Sequence, residues 1–82
     1  MNKTELIAAI EKKRGSLGYS AWTIGITNDP ERRRTEHGNP SVWYSWKADS
    51  ESIAREVEAY FLNKGMKGGG GGGEKPTYVY IF

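Results

Sequence analysis

TIGITNDPERRRTEH, residues 23–37, is the stretch on which the reading of this chain turns. Its first five residues put Ile24 and Ile26 on one side of an extended segment and Thr23, Gly25 and Thr27 on the other, the period-two pattern of a half-buried strand. Asn28 and Asp29 break that pattern. Pro30 suits the first helical position, where no backbone N–H is needed, and Asp29 before it can accept the free donors of the first turn. In the helix that follows, residues 30–37, Arg33 and His37 stand four apart and share a face. A guanidinium and an imidazole beside the end of a strand form a place to hold a phosphate.

Working outward, residues 2–14 read as a helix, with Asn2 as its cap, Glu5 three residues later, and Leu6, Ile7 and Ile10 as an apolar stripe. Gly15 and Gly18 end it. The alternation around Ile24 extends back to Tyr19, so the first strand is expected over residues 19–27 with Trp22, Ile24 and Ile26 toward the core. After Gly38 and an Asn39-Pro40 turn, VWYSWK at residues 42–47 is rich in strand-favouring aromatics. Asp49 or Ser50 caps a longer helix to Lys64 whose stripe is Ile53, Val57 and Phe61, flanked by Ala54 and Leu62, with Gly65 as C-cap. TYVYIF, residues 77–82, is a third strand; one that ends on the final residue must be held by neighbours in a sheet. These elements predict an α/β (α+β) domain over residues 1–82: a small three-stranded antiparallel sheet flanked by helices.

Between the last helix and the last strand, residues 65–73 are nearly all glycine, and the six consecutive glycines at 68–73 predict a flexible loop. Phosphate-cradling glycine loops run from a strand into a helix; here the order is helix, glycines, strand, and no Lys-Ser/Thr pair follows.

Eighty-two residues without cysteine allow one modest core and neither a disulfide nor a thiolate metal site. The ten aromatic side chains (three Trp, five Tyr and two Phe) must supply much of the packing. A net charge of +2 and a pI of about 9.0 are compatible with nucleic acid without requiring it. No apolar run approaches the roughly 18 residues of a membrane span, and MNKTELIAAI does not read as a signal peptide, so a cytoplasmic protein is expected.

With these residues in hand, the central stretch resembles the second half of the GIY-YIG nuclease signature. In that family a YIG strand leads into a helix with a catalytic arginine eight residues after the glycine and often a histidine four further on; Gly25, Arg33 and His37 keep that spacing. The family also carries a metal-binding glutamate on the next long helix, commonly four residues after an alanine, as Ala54 and Glu58 do. Two departures stand out. Thr23 occupies the position of the second family tyrosine, with a hydroxyl but no titratable phenol. The GIY strand is missing where it should precede, since EKKRGSLGY reads as a helix end and a turn. The substitute lies at the other end: YVYIF resembles the family's first strand, which implies a circular permutation with Val79 and Ile81 toward the core and Tyr78 and Tyr80 on the opposite side.

The resemblance implies metal-dependent cleavage of nucleic acid, DNA before RNA. It puts Mg²⁺ (or Mn²⁺) on Glu58, Arg33 on the pentacoordinate phosphorus, and Tyr80, with His37 second to it, on the proton of the attacking water. So small a domain would take its specificity from a protein partner, from dimerisation or from DNA structure. The residues also admit plainer readings. Arg33 can be one solvated member of an arginine run, Glu58 a surface glutamate, His37 a helix-terminal cation, and Tyr78 and Tyr80 packing groups. Tyr19, Trp43, Tyr44 and Trp46 either pack or face nucleic acid. A silent binding module that keeps the scaffold, with Thr23 as its mark, is the alternative to the enzyme, and a protein-interaction domain with no nucleic-acid role is a third.

Overall fold

A computed structural model describes residues 1–70 and 75–82. In chain order the elements are α1 (Lys3–Arg14), a single 3₁₀ turn (Tyr19–Ala21), β1 (Thr23–Thr27), α2 (Pro30–Glu36), β2 (Tyr44–Lys47), α3 (Glu51–Lys64), β3 (Lys67–Gly68) and β4 (Tyr78–Ile81). The fold is a small α+β domain. Among the described residues, no helix is long and apolar enough to cross a membrane.

The helix ends are built by the residues that signal them. Asn2 and Glu5 make a reciprocal capping box, at 2.8 and 2.9 Å. The Asp29 carboxylate accepts from the Arg32 N–H, with Pro30 opening α2. Ser50, rather than Asp49, caps α3 by accepting from the Ile53 N–H, and Gly65 ends that helix at φ 115°, in the left-handed region. The exit from β1 into α2 is set by Thr27, whose buried hydroxyl accepts the Asp29 N–H at 3.0 Å.

The sheet corrects the expectation of three antiparallel strands. Among the described residues it has four strands in the order β2-β4-β1-β3; β4 runs antiparallel to both β2 and β1, and β3 runs parallel to β1. The fourth strand comes from the segment expected to be loop: Lys67 and Gly68 pair with Thr23 and Ile24, and the Gly69 N–H donates to the Ile24 carbonyl at 2.7 Å. Met66, 4% exposed, anchors its start in the core, and one buried apolar residue before a glycine run is too little signal to announce a strand. The expected flexible loop at 68–73 therefore begins after an ordered edge; its residues 71–73 lie outside the described ones.

The first strand is also shorter than its alternation suggests. Thr23 exchanges two backbone hydrogen bonds with Phe82, just past β4, and the chain before it leaves the sheet. Tyr19 instead turns, and its hydroxyl donates to Glu11 at 2.9 Å under the Arg14 guanidinium. β2 likewise starts at Tyr44, opposite Ile81, rather than at Val42, which is exposed.

Pairing fixes the two faces. On one, Trp22, Ile24 and Ile26 lie with Val79 and Ile81 beneath α1 and α3, which contribute Leu6, Ile10, Ala54, Val57 and Phe61. Each large apolar side chain so buried stabilises the fold by about 1.5–3 kcal/mol relative to exposure. On the other face Gly25, Tyr80 and Ser45 lie side by side across three strands. Tyr80 does lie opposite Val79 and Ile81, as the alternation implies, yet it is fully buried there, in a second and smaller packed layer beneath α2.

Candidate functional site

That second layer is where α2 meets the chain's last strand. Tyr80 lies flat across β1 because Gly25, its Cα partner, has no side chain: a methyl on Gly25 would overlap both the phenol oxygen and the ring. Gly69, just beyond β3, covers the same hydroxyl from the sheet edge, and a methyl there would collide with the Tyr80 oxygen and press on the Ile24 carbonyl at 3.2 Å. Two glycines thus form the cradle of one phenol. Trp43 stacks on the Tyr80 ring at 4.6 Å and 13°, and Phe82 and His37 close the aromatic wall.

α2 lowers two groups onto the phenol. The His37 Nε2 is 3.1 Å from the Tyr80 hydroxyl. Arg33, four residues earlier, donates through Nη1 to Glu36 at 2.8 Å and through Nη2 to the Gly69 and Gly70 carbonyls at 2.8 and 2.9 Å. Its Nε is buried with no partner among the described residues. A buried donor left unmade is costly, and here it belongs to a guanidinium already turned toward the phenol.

The electrostatics follow from this crowding. Burial pushes the Tyr80 phenol above its usual value; the Arg33 guanidinium pulls the other way, and the Glu58 carboxylate adds to the upward push. Burial, then the Arg33 charge, hold the His37 imidazole below its usual 6.5, against smaller pulls from Glu36 and the Gly69 carbonyl. The hydrogen bond to Glu36 raises the Arg33 pKa, so the guanidinium stays charged. The site at neutral pH is therefore a neutral phenol, a neutral imidazole and a cation.

Of the candidate residues, Arg33, His37 and Tyr80 come together. Glu58, half-buried on α3, acts on Tyr80 through its field; burial raises its own pKa against the opposing charge of Arg55. It makes no ion pair among the described residues. Thr23 lies on the same sheet face as Gly25, but among the described residues its hydroxyl makes no hydrogen bond and does not join the cluster. Trp43 resolves as packing against Tyr80, and Tyr19 as the tie to Glu11. Sequence reasoning passed over Gly69 and Glu36. Glu36 is legible in hindsight, three residues from Arg33 on the same helix; Gly69 carries no local sign, because its neighbours are identical.

No family model, no curated protein and no solved structure matches this chain. For a metal, the described residues hold no group of three or more His, Asp or Glu side chains. Among the described residues the candidate donor is one carboxylate, Glu58. A single unpaired carboxylate fits a magnesium ion that keeps most of its waters, not a closed all-protein cage.

The depressed His37 pKa has a signed consequence. Above pH 6.5 the imidazole is neutral in both the folded and unfolded chain; below it the unfolded chain binds the proton first, so stability falls until the folded imidazole is also protonated. Urea unfolding followed from pH 7.5 to 5.5 is expected to show this decline in the wild type and a shallower one in His37→Asn. Equal slopes in the two proteins would contradict the burial of a neutral imidazole.

Proposed function

We propose that the chain is a GIY-YIG-like endonuclease in circularly permuted form, cleaving phosphodiester bonds of nucleic acid, DNA in the first place, in the cytoplasm. The observation that carries this reading is the meeting of Arg33, His37 and Tyr80, with Nε2 and hydroxyl 3.1 Å apart, from two elements that the chain order holds far apart. The pairing of β4 beside β1 supports the permutation, since it sets the YVYIF strand next to the TIGIT strand.

Phosphodiester hydrolysis joins a water oxygen to phosphorus and releases a sugar oxygen, that of deoxyribose in DNA. The Arg33 fork of N–H donors binds the equatorial phosphate oxygens and neutralises the charge that develops on them. Both shifts oppose a proton transfer from the resting phenol to the imidazole, so the proton moves only in concert with attack: the phenol passes its proton to His37 Nε2 as it takes one from the attacking water. The leaving oxygen is protonated from solvent. A magnesium or manganese ion held by Glu58 would supply Lewis-acid polarisation of the phosphate. Substrate choice falls to a protein partner or to DNA structure.

A plasmid-nicking assay with Mg²⁺ tests the reading through Glu58→Gln. The expected result is a loss of about 10²–10³-fold in rate. Stability moves the other way: burial disfavours the Glu58 charge, so the neutral amide leaves the fold at pH 7 at least as stable as the wild type. Purified wild type that leaves the plasmid intact would overturn the nuclease. A second reading, a catalytically silent nucleic-acid-binding module, draws on the full burial of Tyr80 and on Thr23 in place of a phenol; it expects salt-sensitive DNA binding without cleavage.

A further inference from the structure

The two groups that a phosphate would need are both covered by the same short piece of backbone. Gly69 lies on the Tyr80 hydroxyl, and the Gly69 and Gly70 carbonyls take both Nη2 protons of Arg33. Carbonyl oxygens 2.8 and 2.9 Å from a guanidinium nitrogen stand where two oxygens of a phosphate would stand. While this backbone stays in place the phenol is closed to substrate, Tyr80 being 0% exposed, and the Arg33 side chain, 20% exposed, has its Nη2 donors occupied by the two carbonyls.

We infer that Gly69 and Gly70 form a strap that occupies the phosphate seat at Arg33, and that a phosphodiester binds only by displacing it. The inference rests on the reading of Arg33 as a phosphate-binding group, and it adds a gate to that site. The anchor and the strap are distinct. Met66 is buried and its N–H donates to Phe61, and Lys67 N–H donates to Trp22, so the start of the edge is fixed to the core. Beyond it the strand is two residues long, and among the described residues the strap is held by the Gly69 bond to Ile24, by His37 at the Gly69 carbonyl and by Arg33. Arg33 is thus both latch and ligand-binding group. Polyanion that competes for the guanidinium removes two of the strap's bonds, and a single displacement uncovers cation and phenol together. Glycine at 69 is required in the closed state by the phenol beneath it, and Gly70 takes φ 75°, where other residues are strained.

The strap is tested by forcing it open. Gly69→Ala drives its methyl against Tyr80 and should force the strap off. The probe is a fluorescein-labelled single-stranded thymidine oligonucleotide, titrated in EDTA. Because apparent affinity scales with the open fraction, Gly69→Ala is expected to bind about three-fold or more tightly than wild type. In the wild type, exchange of the Gly69 amide, which donates to the Ile24 carbonyl, should accelerate at saturating oligonucleotide. Binding by Gly69→Ala no tighter than wild type, or a Gly69 amide that stays protected at saturation, would overturn the strap while leaving nucleic-acid binding intact. Strap release without any nicking in Mg²⁺ would uphold the strap and remove the nuclease. No binding by wild type or Gly69→Ala would remove both.

Discussion

Arg33→Ala is expected to lower Mg²⁺-dependent cleavage by about 10²–10³-fold, and Arg33→Lys to restore little of it. The reason is geometric. In the folded chain the guanidinium makes three directed contacts, to Glu36 and to two carbonyls, and turns a fourth donor, Nε, into the buried layer with no partner among the described residues. A lysine ammonium keeps the charge but cannot present the planar fork to two phosphate oxygens at once. Loss of the ion pair to Glu36 is a minor matter for stability, since that carboxylate is 46% exposed and such pairs contribute about 0–1 kcal/mol. A deep loss of rate with a melting temperature close to wild type is therefore the expected signature. Nicking within a few-fold of wild type in Arg33→Ala would place the arginine outside the chemistry.

Gly25→Ala is expected to be the most damaging conservative change to the fold, costing about 3 kcal/mol in urea unfolding. Gly25 sits in β1 between β4 and β3, so neither neighbour can move aside without breaking the ladder. The added methyl would overlap the phenol oxygen and the ring carbon that bears it. For that reason Tyr80→Phe is not expected to relieve the clash, whereas Tyr80→Ala in the Gly25→Ala background should recover part of the loss. The pair would then show a coupling energy of about 1–3 kcal/mol in a double-mutant cycle. Independent, additive effects of the two substitutions would mean that Tyr80 does not lie over Gly25 in solution. For a domain of this size such a loss is a large share of the whole stability.

Much of the architecture was legible because it is written locally. A capping box needs only residues three apart, so Asn2 and Glu5 announced α1; Asp29-Pro30 announced α2, and Gly65 announced the end of α3. The Arg33–His37 pair was legible as a shared helix face. Other features were not, because they depend on partners remote in the chain. Tyr19 follows a strand alternation, yet it turns instead to reach Glu11 on α1, eight residues back in the chain. Lys67–Gly68 becomes a strand because Met66 inserts beneath it and β1 offers a free edge, neither of which six glycines can signal.

Local residue patterns alone set the helices, the inward faces of β1 and β4, and which helix face would carry the arginine and the histidine. Each of these follows from residue spacings of two to four, over which backbone geometry alone decides which side chains are neighbours. Packing of the whole chain was needed to place β4 beside β1, to bury Tyr80 across Gly25, and to bring Gly69 and Gly70 onto Arg33 from 36 and 37 residues away. Those contacts arise from closing the sheet over a shared core, and chain separation carries no information about which distant backbone will reach a given side chain.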